Sequence, residues 1–106
     1  MTIERKGVLM LGSMDATIIG SDLIVGQQAP EFTSHKQDYS LSPMLASTAG
    51  KVRIIAAVPS LQTSVCDRET RHFNEEAAKL SDDIAIITIS TDLPISQANW
   101  CGAAGI

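Results

Sequence analysis

The chain has 106 residues, of which 44% are hydrophobic and 19% are charged, as expected for one soluble globular domain rather than a disordered chain. Only 4% of the residues are aromatic, so the predicted core is aliphatic. The formal net charge is −4, and acidic and basic residues are interspersed without a basic block. This pattern argues against nucleic acid and against an anionic membrane surface as partners.

The first residues do not have the pattern of an export signal. Arg5 and Lys6 precede a short apolar stretch, but glycines and Asp15 interrupt it before it reaches the length of a signal sequence. No apolar run approaches the length of a membrane span. We therefore expect a cytoplasmic protein, in which two cysteines are more typical of free, catalytic or redox-cycling thiols than of a permanent disulfide.

The N-terminal residues 1–20 predict a β-hairpin within a single domain that spans residues 1–106. In "GVLMLGSMDATIIG" two apolar runs, residues 8–11 and 16–19, flank a turn around residues 12–15.

Residues 21–50 have a weaker pattern that is interrupted by Gly26 and Pro30. We expect a loop-rich segment there, with a short strand at residues 39–41 and one helical turn near residues 43–46.

The second half of the chain predicts a β-α-β unit. "KVRIIAAVPS" is an almost continuous apolar run ended by Pro59, as expected of a strand in the centre of a sheet and covered on both faces. A helix over residues 64–80 and a second strand over residues 84–89 follow. A helical connection of this length predicts that the two strands are parallel and joined by a right-handed crossover. The predicted fold class is therefore α/β. The apolar stripe of the helix comprises Cys66, Thr70, Phe73, Ala77 and Leu80.

Cys66 is the strongest candidate for chemistry. It lies in the first turn of the predicted helix, where unpaired backbone N–H groups and the helix dipole stabilise a thiolate, the reactive form of a thiol. Thr63 can cap this helix or orient a small polar substrate beside the sulfur, and Pro59 shields the same pocket. Simple packing in the core is the alternative role for such a cysteine, and the residues alone leave both open.

Cys101 has the opposite setting. A second helix is predicted from Pro94 to about Cys101, with Thr91 and Asp92 as caps, so Cys101 lies where the helix dipole opposes a thiolate. We therefore assign Cys101 the second step, attack on an oxidised Cys66.

No metal or other cofactor is predicted. His35 and His72 do not combine with each other or with the cysteines in the C-x-x-C or H-x-x-x-H spacing of zinc sites. The charged residues around residues 67–71 suit a solvated helix face, from which Arg71 could turn towards Cys66.

Four segments together resemble a known family. "PSLQTSVC", "RHFNEEAAKL", "ISTDLP" and "WCGAAGI" are similar, in this order, to segments of the bacterial thiol peroxidases, a two-cysteine branch of the peroxiredoxins. "VGQQAPEF" is similar to the start of peroxiredoxin domains, so the resemblance runs from about residue 25 to residue 106. It implies a thioredoxin-like fold preceded by the N-terminal β-hairpin.

The resemblance also implies the chemistry. Cys66 matches the peroxidatic cysteine and Cys101 the resolving cysteine, which form an intramolecular disulfide that thioredoxin reduces. Thr63 matches the hydroxyl that contacts the peroxide, and Pro59 the residue that shields the thiolate. The implied substrates are hydrogen peroxide and small alkyl hydroperoxides, the function is antioxidant, and a homodimer is compatible with the family.

The sequence departs from the family pattern in two places. Gln62 stands where these enzymes usually have an aspartate. The chain also stops at Ile106, whereas the family fold continues with strands, a helix and the arginine that stabilises the thiolate. We therefore expect a partial domain with an open sheet edge that is unstable, self-associates or borrows strands. An inactive peroxiredoxin fragment and a dithiol switch without turnover are the alternatives to an active enzyme.

Overall fold

A computed structural model describes residues 2–106, which form two compact units, one up to Pro30 and one from Glu31 onward. The first unit is an antiparallel hairpin of β1 (Glu4–Leu11) and β2 (Met14–Ile19). Both strands start earlier than the apolar runs predicted, and the turn is shorter, because polar residues also pair in this exposed ladder. A single domain over residues 1–106 stays a prediction.

The second unit begins with a short antiparallel pair, β3 (Thr33–His35) and β4 (Leu41–Pro43), followed by a 3₁₀ turn at Ala46–Thr48. The strand predicted at residues 39–41 therefore starts two residues too early. Tyr39 has a φ of 68°, a left-handed conformation that belongs to the turn and not to a strand. The helical turn, which was predicted near residues 43–46, also lies closer to the C-terminus, at Ala46–Thr48.

A β-α-β unit forms the body of the second unit, as predicted. Strand β5 (Val52–Val58) leads into helix α1 (Ser64–Ala77), and β6 (Ile84–Ser90) returns parallel to β5 and pairs with all seven of its residues. Helix α2 (Pro94–Ala104) follows. The parallel pair places the carboxyl ends of β5 and β6 side by side.

The position predicted for β5 is wrong in one respect. The strand was expected to be central and covered on both faces, but Ile54 and Ile55 are 39% and 44% exposed. Within residues 2–106 its one strand partner is β6. An apolar run indicates a strand suited to burial, but it does not specify what covers the strand.

Both helices end at other residues than predicted. The last turn of α1 tightens through bonds from Lys79 N–H to Glu76 O and from Leu80 N–H to Ala77 O, and the helix ends at Ala77. Helix α2 continues past Cys101 because Gly105, with a φ of 75°, provides the left-handed residue that ends it.

A small apolar cluster connects β5 to α1. Val58, at the end of β5, packs with Leu61 and Cys66, and Trp100 from α2 packs against the cluster. All three cluster residues are buried, with Cys66 8% exposed. The cluster thus surrounds the N-terminus of α1, where the sequence places its strongest chemical candidate.

Candidate active site

Two loops meet at the carboxyl edge of the parallel strands. The loop of residues 59–63 follows β5, and Thr91 and Asp92 follow β6. Thr91 donates hydrogen bonds from its hydroxyl and its N–H to Pro59 O, the N–H bond measuring 3.3 Å. This edge is the usual place for a site in an open α/β sheet.

Asp92 holds the loop before Cys66. Its carboxylate accepts hydrogen bonds from Ser60 Oγ at 2.6 Å and from Leu61 N–H at 2.8 Å. These bonds, the Ser60 hydroxyl first, hold the pKa of Asp92 below its ordinary value of 3.8. The predicted role of Asp92 as a cap of α2 is wrong, because Leu93 occupies the N-cap position without a side-chain bond and Asp92 faces the loop.

Cys66 lies in the first turn of α1, as predicted. Thr63 is the N-cap residue, and its Oγ1 accepts a hydrogen bond from Cys66 N–H at 3.2 Å. The same hydroxyl donates to Ser60 O at 3.1 Å. Because a hydroxyl has one proton and two lone pairs, Thr63 keeps one lone pair for an incoming O–H group.

Cys101 lies in the last turn of α2, outside the apolar cluster that contains Cys66. Gln37 Nε2 donates to its Sγ at 3.2 Å, and both residues line a cavity of about 340 Å³ with Thr70, Phe73 and Trp100. Cys66 is not part of this lining, and both thiols are free. Gln37 was not predicted, because 64 residues separate it from Cys101 and no local pattern connects them.

Asp67, Arg71 and Trp100 form a polar cluster between the two helices. Trp100 Nε1 donates to Asp67 Oδ1 at 2.7 Å, and Arg71 Nε donates to Asp67 Oδ2 at 3.0 Å. The Arg71 guanidinium lies 5.3 Å from the centre of the Trp100 ring. Arg71, expected to be able to turn towards Cys66, is thus engaged elsewhere, and Asp67 joins α1 to α2 instead of facing only solvent.

A larger cavity of about 760 Å³ lies beside β6 and residues 34–38, and its lining contains neither cysteine. We therefore centre the candidate site on Cys66, where the capped helix and the anchored loop meet. Over residues 2–106 no group of three His, Cys, Asp or Glu side chains is arranged to hold a metal ion. In the same residues, no helix combines the length and apolar character needed to cross a membrane.

Comparison with known proteins defines the class. The Redoxin family model matches residues 24–106. The crystal structure of a peroxiredoxin-like protein from Aquifex aeolicus superimposes with a TM-score of 0.76 at 33% identity, over 87% of this chain and 53% of that chain. The chain therefore belongs to the Redoxin family and has a thioredoxin-like α/β fold, which confirms the predicted fold class.

Within this family the chain is similar to bacterial thiol peroxidases. It is 52% identical over 90 residues to the thiol peroxidase of Bacillus subtilis, covering 85% of this chain and 53% of the relative. With the thiol peroxidase of Clostridium acetobutylicum the identity is 41% over all 106 residues, or 59% of that relative. The predicted resemblance is thus confirmed, and the chain spans about half the length of the curated relatives it matches.

Proposed function

We propose that the protein is a thiol peroxidase that reduces hydrogen peroxide or small alkyl hydroperoxides, with Cys66 as the nucleophile and Cys101 as the resolving thiol. The observation that carries this proposal is the setting of Cys66 in a helical first turn capped by Thr63. The loop anchored by Asp92 holds that turn at the edge of the sheet. Similarity to thiol peroxidases supports the same reaction.

In the first step, the Cys66 thiolate attacks one oxygen of the peroxide. An S–O bond forms, the O–O bond breaks, and two electrons pass from sulfur to the peroxide. The second oxygen leaves as hydroxide or alkoxide and takes a proton from solvent. The N–H groups that a first helical turn leaves without intrahelical partners favour the negative charge, and the free lone pair of Thr63 orients the peroxide O–H. Pro59 screens the thiolate from water.

In the second step, Cys101 attacks the sulfenic sulfur of Cys66. The S–S bond forms, the S–O bond breaks, and hydroxide leaves as water with the proton of the Cys101 thiol. In the structure the two thiols have different surroundings, since Cys66 is packed in the apolar cluster and Cys101 accepts a hydrogen bond from Gln37. A disulfide between them requires their Cα atoms to be about 4.4 to 6.8 Å apart. The first turn of α1 and the last turn of α2 therefore move locally during this step.

The third step restores the two thiols. A thioredoxin dithiol attacks the Cys66–Cys101 disulfide and passes through a mixed disulfide. It leaves as oxidised thioredoxin after transferring two electrons and two protons. Thioredoxin is thus the protein partner of the cycle, and no bound cofactor takes part.

A coupled assay tests the proposal. Peroxide consumption is followed through NADPH oxidation with thioredoxin and thioredoxin reductase present. We expect many turnovers per protein, none with Cys66→Ser, and strongly reduced thioredoxin-dependent turnover with Cys101→Ser. A dithiol switch would instead consume one equivalent of peroxide and stop, and an inactive fragment would consume none.

A further inference from the structure

We propose that Asp67, Trp100 and Arg71 form a latch whose opening limits the rate at which Cys101 resolves the sulfenic acid of Cys66. This inference rests on the proposed peroxidase cycle and assigns the three residues a positioning role within it. Their cluster makes a polar connection between the helix that carries one thiol and the helix that carries the other.

The latch residues adjoin the two cysteines in sequence. Asp67 follows Cys66 directly, and Trp100 precedes Cys101 directly. The 2.7 Å bond from Trp100 Nε1 to Asp67 Oδ1 therefore joins the residues next to the two thiols. Any displacement that separates α1 from α2 at this point stretches that bond.

Trp100 also packs against the apolar cluster of Val58, Leu61 and Cys66. Consecutive residues of an α-helix point about 100° apart, and Cys101 accordingly contacts Gln37 instead of the cluster. For Cys101 to reach Cys66, α2 has to turn or unwind, and this movement carries Trp100 out of its place.

The three contacts of the latch support one another. The Asp67 carboxylate binds the indole through one oxygen and Arg71 through the other, while the guanidinium lies over the indole ring. Hydrogen bonds to a carboxylate are stronger than those between neutral groups. Because the three side chains contact one another, removing one of them weakens more than one contact. A closed latch lengthens the life of the sulfenic acid and so favours further oxidation by a second peroxide.

Separating the two chemical steps tests the latch. Reduced protein is mixed with one equivalent of hydrogen peroxide, quenched at intervals and analysed by intact mass, which resolves sulfenic acid from disulfide. We expect Trp100→Phe, which keeps an aromatic side chain and loses the N–H donor, to form the disulfide about tenfold faster. Its first step stays within about twofold of the wild type, because Trp100 does not contact the peroxide in the proposed cycle.

A double-mutant cycle distinguishes a latch from general loosening. Asp67→Ala removes the partner of the same bond, so the double variant with Trp100→Phe should resolve no faster than the faster single variant. Any effect of the lost carboxylate on Cys66 appears separately in the first step. Arg71→Met should change the second step in the same direction by a smaller factor. Glu76→Gln, at the end of the same helix, removes an exposed ion pair with Lys79. It is the matched control and should change neither step.

Two outcomes would overturn the latch while the peroxidase proposal stands. One is equal second-step rates in wild type and Trp100→Phe, with folding verified by circular dichroism. The other is effects that simply multiply in the double variant. If peroxide leaves Cys66 unmodified, the peroxidase proposal fails and the latch fails with it, so this outcome is distinct from the two above, in which Cys66 is oxidised normally.

Discussion

Asp92 shows how one side chain controls the geometry of the loop before Cys66. It reaches from the end of β6 across to the loop after β5 and binds a hydroxyl and a backbone N–H there. Because Ser60 also accepts a bond from Gln62 N–H at 3.1 Å, the carboxylate orders successive residues of the loop. The position of the Thr63 cap depends on this order.

We predict that Asp92→Asn destabilises the protein by about 1 to 2 kcal/mol, because an amide offers only one oxygen where the carboxylate accepts two bonds. Oxidation of Cys66 by peroxide should slow several-fold, since the loop that positions Thr63 loosens. Urea denaturation and quenched intact mass measure the two effects. Asp82→Asn, at an exposed position in the connection between α1 and β6, is the control. Equal effects of both substitutions would contradict the anchoring role.

At this scale the sequence predicts contacts between near neighbours and misses distant ones. The Thr63 cap of the turn that holds Cys66 spans three residues, and a threonine before an apolar helical pattern indicates it. The bond from Gln37 to Cys101 spans 64 residues, and neither residue type signals the other. The sequence indicates Asp92 as a cap of α2, because a local pattern does not show that its side chain binds Leu61, 31 residues earlier.

The N-terminus of α1 is the element on which the site depends. Thr63 has extended backbone, with a φ of −77° and a ψ of 144°, and its side chain satisfies the N–H of Cys66. The helix therefore begins at a defined residue, and the first turn holds the thiol in a fixed direction.

We predict that Thr63→Val costs about 1 kcal/mol of stability, because the cap bond is lost while the size and β-branching of the side chain are kept. Thr63→Ser should keep most of the stability and most of the peroxide reactivity. Thermal denaturation and the rate of Cys66 oxidation measure both quantities. A valine variant as reactive and as stable as the serine variant would show that the hydroxyl is not needed.

Periodicity predicts the long elements well and the short ones poorly. The apolar runs of β5 and β6 and the helical stripe of α1 identified the β-α-β unit, because burial of one face imposes the period. Strand β3 has only three residues, Thr33–His35, and exists because it pairs with β4. No pattern within those three residues could indicate the partner.

At the scale of the whole molecule, β5 presents apolar side chains to solvent. Val52 is 65% exposed, and Ile54 and Ile55, which point to opposite faces of the sheet, are 39% and 44% exposed. The apolar run correctly predicts a strand, but the sequence of a strand does not show which other elements pack against it.

We predict that the protein self-associates with rising concentration, because such exposed apolar surface favours contacts between copies. Sedimentation velocity over a concentration series should show a shift from monomer to larger species, and Ile55→Thr should weaken it. Lys51→Gln, an exposed change at the start of the same segment, is the control. A single monomeric species at all concentrations would contradict the prediction.

Acid should destabilise the protein. Four carboxyl groups have pKa values below their ordinary values, and in each the main cause is a hydrogen bond. The donor is Leu45 N–H for Glu31, the Ser40 hydroxyl for Asp38, Arg71 for Asp67 and the Ser60 hydroxyl for Asp92. A lowered folded-state pKa means that the unfolded chain binds protons first as pH falls. The stability that these hydrogen bonds contribute is therefore fully present above the ordinary pKa values of 3.8 for Asp and 4.5 for Glu, and it is lost as the pH falls below them.

Urea denaturation from pH 7 to about pH 3 measures this dependence. The free energy of unfolding should stay nearly constant down to about pH 5 and then decrease, with a smaller decrease in Asp92→Asn. Stability that rises as the pH falls below about 4 would contradict the assigned hydrogen bonds.

The most direct test of the central claim is intact mass before and after one equivalent of hydrogen peroxide, in wild type, Cys66→Ser and Cys101→Ser. The two-step cycle predicts that wild type loses two hydrogens, that Cys101→Ser gains one oxygen at Cys66, and that Cys66→Ser stays unchanged. A Cys66 thiol that remains unmodified, under conditions that oxidise a free thiol in solution, would contradict the assignment of Cys66 as the peroxidatic residue.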